Sequence, residues 1–235
     1  MAVSTISQAG LDAPITLTSP TLGAGTALLP SIKLTSGTNL TSAIAGAIEY
    51  DGKVVYGTPL STERGIIPTQ QYYRLNAAYV GTNVATAQSV FGVGVTLSAS
   101  TVYEFEIVFN LLKTAGSTAH TIGFGFGGTA TINNISQNLV SQLNTTTIAV
   151  NNTATTGFIS TATNTTISQT TGAATTLYLN TIIKGTVSVN AGGTFIPQYT
   201  CSAAPGGAYS TQIGSYIRIN PLSASGAATN VGTWA

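Results

Sequence analysis

Apolar and polar residues alternate along several runs of this chain, with the period of two that is typical of a β-strand with one buried face. In the clearest run, one face carries Tyr103, Phe105, Ile107, Phe109 and Leu111, and the other carries Glu104, Glu106 and Asn110. Helical periodicity is missing, whereas β-branched residues recur between Gly, Asn and Pro signals. We therefore predict an all-β chain.

Three later runs repeat the alternation and define a predicted head domain over residues 69–235. Their predicted inward residues are His120, Ile122, Phe124 and Phe126; Leu177, Leu179, Ile183, Val187 and Val189, followed by Phe195, Tyr199 and Cys201; and Ile213, Ile217 and Ile219. About eight strands of this kind suit one β-sandwich of two sheets. The Thr/Asn-rich residues 145–176 predict exposed strands and loops.

The N-terminal part of the chain has a different pattern. Pro and Gly interrupt residues 1–40 too often for a core to form, which predicts an extended arm that lies against a partner. Residues 41–68 predict a β-hairpin and connector, because two β runs flank Asp51-Gly52, a pair that suits a two-residue turn. Residues 63–65 are interpreted as the connection into the head. Two strands alone are marginally stable, so the hairpin must dock on something.

The scarcity of charge narrows the class of protein. Charged residues make up 6% of the chain with a net charge of +1, against about 25% in ordinary globular domains. A nucleic-acid partner is not expected, since binding phosphates needs clustered Lys and Arg. No apolar run is long enough for a membrane span, and the first residues lack signal-peptide features.

The few charges are also unevenly placed. All six acidic residues lie at or before Glu106, and only Lys184 and Arg218 follow Lys113. Thr, Ser, Asn and Gly must therefore cover most of the head surface. Such a surface has little electrostatic repulsion, which favours close packing of identical copies.

Motifs that could carry chemistry are weak. Residues 123–128 match the dinucleotide pattern GxGxxG, but a β run follows them and no acidic residue comes after Glu106. His120 is the single histidine, and Asp12 and Asp51 are both far from it in the sequence. Cys201 cannot form an intrachain disulfide and is predicted to be a buried, inert thiol. We expect no metal and no cofactor.

Two further groups leave alternatives open. Glu104 and Glu106 project from the same side of one strand, either as the carboxylate pair of a glycosidase or as part of a solvated or subunit-facing surface. Several tyrosines either present an aromatic surface to a carbohydrate or protein, or are buried within a trimer. These tyrosines are Tyr72, Tyr73, Tyr79, Tyr209 and Tyr216.

Several segments resemble structural proteins of tailed-bacteriophage virions, of the type frequent in aquatic and marine phages. The resemblance rests on residues 45–59 (AGAIEYDGKVVYGTP) and 63–68 (ERGIIP), with 101–106, 192–199, 204–207 and 231–234 similar to the same group. The Tyr-x-Phe and Tyr-x-Arg strands also resemble jelly-roll heads of the C1q/TNF type. That second resemblance implies a jelly-roll-like sandwich and a homotrimer.

The resemblance implies a non-enzymatic virion protein with one of two roles. The preferred role is a capsid decoration or cement protein on the outer shell, whose arm and hairpin bind the major capsid protein, another virion protein or a neighbouring copy. The alternative is a tail fibre or receptor-binding protein at the tail that contacts host surface glycans. The chain has no repeated shaft sequence, which favours the first role. The expected interface residues are Ile48, Tyr50, Asp51, Gly52, Tyr56 and Arg64.

Overall fold

A computed structural model describes residue 21 and residues 23–61, 63–145, 154–161 and 167–223. The chain divides into two compact units, residues 1–35 and residues 36–235. In the first unit, the described residues contain no strand and are exposed, with a turn in which Thr26 donates its N–H to the Leu29 carbonyl. The three-part division of the sequence at residues 40 and 68 stays an interpretation.

The second unit begins with a three-stranded antiparallel sheet. Its strands are β1 (Ile48–Tyr50), β2 (Val55–Leu60) and β3 (Glu63–Ile67), in the order β1-β2-β3. The predicted strands on either side of Asp51-Gly52 are confirmed. Residues 63–65, interpreted as the connection into the head, instead form part of β3, in which Gly65 and Ile66 pair with Gly57 and Tyr56.

The predicted two-residue turn was also wrong. Tyr50 pairs with Val55, so four residues, Asp51 to Val54, connect the strands. The Asp51 carboxylate accepts the N–H groups of Lys53 and Val54 at 2.9 and 2.8 Å, an arrangement that replaces a backbone turn bond with a side chain. Gly52 alone in this loop takes a positive φ, of 97°.

Within the residues that the structure describes, the head contains thirteen strands in two sheets. Five of them are short: β4 (Gln71–Arg74), β5 (Tyr79–Val80), β6 (Gln88–Ser89), β7 (Val95–Leu97) and β15 (Tyr209–Thr211). Eight are longer: β8 (Thr101–Lys113), β9 (His120–Gly127), β10 (Thr131–Asn144), β11 (Ala154–Thr161), β12 (Ile167–Thr171), β13 (Leu177–Ala191), β14 (Gly193–Cys201) and β16 (Tyr216–Ser223). The predicted all-β chain with a β-sandwich head is confirmed.

The large sheet has the strand order β11-β10-β13-β8, and β8 then pairs with two strands along its second edge. Residues near the start of β8 pair with β16, which carries β4, and residues near its end pair with β15, which carries β5. The small sheet has the order β12-β9-β14, with β6 and β7 on the outer edge of β14. Strand β8 is therefore the hub of the large sheet.

Aromatic side chains from both sheets form the centre of the core. Phe105 of β8 lies 5.2 Å from Phe126 of β9, measured between ring centroids, and Phe126 stacks on Phe195 of β14 at 4.3 Å. Phe109 and Phe124 make a second contact between the sheets at 5.5 Å. Burial of these rings and of the aliphatic side chains around them supplies the main favourable term in folding.

Two residues depart from the predicted inward pattern. Ile213 was expected to alternate with Ile217 and Ile219, but it is 59% exposed in the turn before β16. The chain turns there because Gly214 takes a φ of 90° and donates its N–H to Leu75. Lys113 continues the inward face of β8 and is fully buried.

Backbone carbonyl groups surround the buried ammonium group of Lys113. Nζ donates to the carbonyl oxygens of Gly116 at 2.8 Å, Ala174 at 3.0 Å and Ala115 at 3.3 Å. These acceptors belong to loops at one end of the sandwich. Burial lowers the pKa of Lys113, and the carbonyl groups replace the water that the ammonium group loses.

We expect Lys113→Met to lower the free energy of unfolding by about 3 kcal/mol, because it leaves several partly buried carbonyl groups without their donor. Urea unfolding at neutral pH measures this change. Lys184→Met is the matched control, since that side chain is 62% exposed and a surface ion pair contributes at most about 1 kcal/mol. Equal losses in the two variants would contradict the role of Lys113.

Candidate functional site

The three-stranded sheet has two faces of different chemistry. Residues that pair directly across strands project to the same face, and successive residues along a strand alternate. The pairs Ile48–Gly57 and Gly57–Gly65 place these residues, together with Ile67, on one face. We call this the apolar face. Glu49, Tyr56 and Arg64 alternate with those residues and lie on the opposite face.

An ion pair organises the polar face. Arg64 Nε lies 2.9 Å from Glu49 Oε2, and both side chains are mostly buried. The same carboxylate accepts the N–H of Leu40 at 2.6 Å, while Arg64 Nη2 donates to the Leu40 carbonyl at 2.7 Å. The Leu40 N–H is the main cause of the lowered pKa of Glu49. These bonds hold the chain before β1 against the sheet.

The loop between β1 and β2 is also held by polar contacts. Tyr56 donates its hydroxyl hydrogen to Asp51 Oδ2 at 3.0 Å, and Tyr50 donates to the Gly52 carbonyl at 2.8 Å. Burial, followed by the bond to Asp51, raises the pKa of Tyr56 to about 12. Lys53 donates to the carbonyl oxygens of Ala99 and Ser100, which attaches this loop to the head.

The apolar face is a shallow surface without charged side chains. It forms a depression of about 430 Å³ lined by Ile48, Gly57, Pro59, Gly65 and Ile67, among others. Ile48 is 62% exposed, and Ile67 is 39% exposed. The two paired glycines contribute no side chains to the centre of the face, and the Ile67 side chain lies against Gly57.

The structure brings the six expected interface residues together in one sheet and its turn. Ile48 is exposed on the apolar face, and Tyr50 shares that face through its pairing with Val55. Asp51, Tyr56 and Arg64 instead make hydrogen bonds within the unit. Gly52 lies exposed in the turn. Glu49, Gly57 and Gly65 were not among the expected interface residues. The available signals were the opposite charges of Glu49 and Arg64 on two β runs and the presence of a glycine in each of β2 and β3. Neither signal can be interpreted without the register of β3.

A second group of functional side chains lies on the outer face of the large sheet. Glu106 of β8 sits between Lys184 of β13, at 2.7 Å, and Arg218 of β16, at 3.0 Å. Tyr216 donates its hydroxyl hydrogen to the same carboxylate at 2.7 Å. The hydrogen bond from Lys184 is the largest cause that lowers the pKa of Glu106, to about 2.

These contacts bear on the glycosidase alternative for Glu104 and Glu106. Glycosidase pairs use one carboxyl group with a raised pKa as the proton donor. Glu106 has the opposite shift and is ionised at neutral pH, so it is unsuited to donate a proton. The two carboxylates do share the outer face of β8, as the alternation predicted.

The other candidate groups lie inside the head. His120 is buried, with Nδ1 2.8 Å from the Thr118 carbonyl oxygen and Nε2 2.8 Å from the Tyr209 hydroxyl oxygen. Cys201 is buried as predicted, and burial raises the pKa of its thiol to about 11. Among the described residues, no three His, Cys, Asp or Glu side chains form a group that could hold a metal ion. The described part of the chain contains no helix that is long enough and apolar enough to cross a membrane.

Comparisons with known proteins add little to this geometry. No family model and no curated protein matches the chain. Among solved structures, the chain is similar to one described as the structure of infectious bursal disease virus Gx strain, at 12% identity and a TM-score of 0.18. The match covers 80% of this chain and 49% of that chain, and a likeness at this level carries no argument.

The lowered pKa of Glu106 predicts an acid-sensitive contribution to stability. The folded pKa lies below the ordinary value of 4.5, so the contribution is complete above about pH 4.5 and is lost as the pH falls toward about 2. After allowance for solvent screening, we expect about 2 kcal/mol of the loss in unfolding free energy over this interval to come from Glu106.

Urea unfolding at a series of pH values measures this loss. Glu106→Gln should show a smaller fall in stability between pH 4.5 and 2 than the native protein, because the variant has no carboxylate to protonate at this position. Glu63→Gln, which changes an exposed carboxylate of β3, should keep the full fall. An unchanged fall in Glu106→Gln would show that the ion pairs do not stabilise the fold.

Proposed function

We propose that this protein is a non-enzymatic structural protein of a bacteriophage virion, and that it acts as a decoration or cement protein on the outer surface of the capsid. Its N-terminal segment and its three-stranded sheet bind the major capsid protein or a neighbouring copy, and the head projects outward, with three copies associating as a homotrimer. The resemblance of residues 45–59 and 63–68 to phage virion proteins supports this assignment.

The observation that carries the proposal is the distribution of exposed apolar side chains. Within the part of the chain that the structure describes, nine of the eighteen large apolar side chains that are exposed lie between residues 28 and 67. They are Leu28, Leu29, Ile32 and Leu34 in the first unit, and Leu40, Ile44, Ile48, Leu60 and Ile67 in the second. Exposed apolar side chains that are concentrated in this way within each unit mark surfaces that a partner covers.

The build of the three-stranded sheet supports the same role. The ion pair between Glu49 and Arg64 and the side-chain bonds of Asp51 use the polar groups of the sheet internally. The apolar face is therefore presented on a rigid support, so little conformational entropy is lost when a partner binds. A brace that carries load between shell proteins benefits from such a preorganised contact.

We expect Ile48→Asp to weaken binding to capsids stripped of this protein by at least about tenfold, because the contact loses apolar area and buries a carboxylate. Sedimentation of the full-length variant with stripped capsids of the encoding phage measures the binding. The matched control is Val140→Asp, which places the same charge at a 46% exposed aliphatic position of the head. It should bind like the native protein.

Circular dichroism in the near ultraviolet checks that both variants keep the folded head. If a folded Ile48→Asp variant bound stripped capsids as tightly as the native protein, the apolar face would not be part of the attachment surface. Equal loss in both variants would instead place attachment on the head, and the proposed orientation on the capsid would then be wrong.

A further inference from the structure

Charged residues of the head are concentrated on one surface. Residues 69–235 contain six of them: Arg74, Glu104, Glu106, Lys113, Lys184 and Arg218. Lys113 is buried in the core. The pairing register places the other five on the outer face of the large sheet, on the adjacent strands β13, β8, β16 and β4. In a head so poor in charge, this clustering calls for an explanation beyond solubility.

The register arranges these side chains in two neighbouring rows. In one row, Lys184, Glu106, Arg218 and Tyr72 lie opposite one another on four successive strands. In the next row, Glu104 lies opposite Asn220. Strands in a sheet are about 4.8 Å apart, so neighbouring side chains within a row are close enough to contact one small molecule together.

A pocket of about 290 Å³ opens between these rows. Its lining includes Gln70, Glu104, Glu106, Lys184, Arg218 and Asn220, and this volume is near the lower end of the range for ligand sites. Two carboxylates and two cationic groups balance, so the pocket selects neither anions nor cations by net charge. Carboxylates accept hydrogen bonds, Lys and Arg donate them, and the amides do both.

An aromatic platform lies beside Arg218, one of the residues that line the polar pocket, and Tyr72 itself lines a separate depression. Tyr72, next to Arg218 in the row, stacks on Tyr216 with a ring-centroid distance of 5.4 Å and an interplanar angle of 20°. Tyr72 is 55% exposed, and the Tyr216 hydroxyl is bonded to Glu106. The platform is therefore held in place by the same carboxylate that organises the ion pairs, while one tyrosine remains open to solvent.

We propose that this outer face binds a neutral saccharide, with one face of a sugar ring against Tyr72 and the hydroxyl groups at its edge directed toward the pocket. A sugar ring offers hydroxyl groups at its edge, which both donate and accept hydrogen bonds, and C–H groups on its faces. The hydroxyl groups match the mixed donors and acceptors of the pocket, and the C–H groups match the electron-rich face of an aromatic ring. This saccharide site goes beyond the proposed bracing role and does not depend on it.

Saturation-transfer NMR on the full chain tests the site with a defined panel of sugars. The neutral probes are glucose, galactose, mannose and N-acetylglucosamine, and the charged probes are glucuronic acid and glucosamine. We expect at least one neutral probe to bind with a dissociation constant of about 1 mM, as suits a ligand of this size. The charged probes should bind more weakly than their neutral parents.

Substitutions locate the binding. Tyr72→Ala and Glu104→Gln should each weaken it about tenfold, through loss of the platform and loss of a charged acceptor. Tyr72→Phe should bind within about twofold of the native protein, because stacking needs only the ring. Phe158→Ala is the matched control: Phe158 is 63% exposed and lies on β11, three strands from β8.

Several results would overturn the saccharide site. The folded chain would bind none of the neutral sugars, or a charged probe would bind more strongly than its neutral parent. Alternatively, Tyr72→Ala and Glu104→Gln would leave the binding unchanged. Chemical-shift changes of β4, β8 and β16 that depend on protein concentration alone would show that this face packs against a second copy instead. Attachment of the variants to stripped capsids is a separate readout, so failure of the saccharide site and failure of the proposed function are distinguishable.

Discussion

Strand β8 is hydrogen-bonded along both edges, to β13 on one side and to β16 and β15 on the other. Its strict alternation therefore fixes which face of the large sheet is buried. Phe105, Ile107 and Phe109 point into the sandwich and meet the small sheet, so Glu104 and Glu106 must point outward. A shift of one residue would bury both carboxylates and expose the aromatic core, at a cost that no other contact offsets.

The few charged residues of the chain lie at specific positions in this arrangement. Thr, Ser and Asn take the place of charged residues on most of the head surface. Of the charged residues that remain, Lys113 is bound by carbonyl groups in the core, and Lys184 and Arg218 pair with Glu106. In the three-stranded sheet, too, two charged residues are paired with each other: Glu49 and Arg64 form an ion pair on the polar face. The opposite face is left apolar and exposed. Attachment and ligand recognition can thus occupy separate surfaces of one chain.

Much of the fold was predictable because the alternation of apolar and polar residues is a local signal. It identified the buried faces of β8 and β13, the burial of Cys201 and the strands around Asp51-Gly52. It failed where a distant contact decides the structure. Lys113 is buried because carbonyl groups of separate loops surround its ammonium group, and no local pattern shows these acceptors. The partners of Glu106 are on strands far away in the sequence, so the candidate site on the outer face needed the register.

The central claim is that the apolar N-terminal surfaces hold the head to a virion shell. Cryo-electron microscopy of virions that contain this protein tests it most directly, with the position of the protein confirmed by antibody labelling. The account predicts density for the sandwich on the outer surface of the capsid lattice, with residues 1–40 and the three-stranded sheet against the major capsid protein. Density for the protein at the tail alone would contradict it.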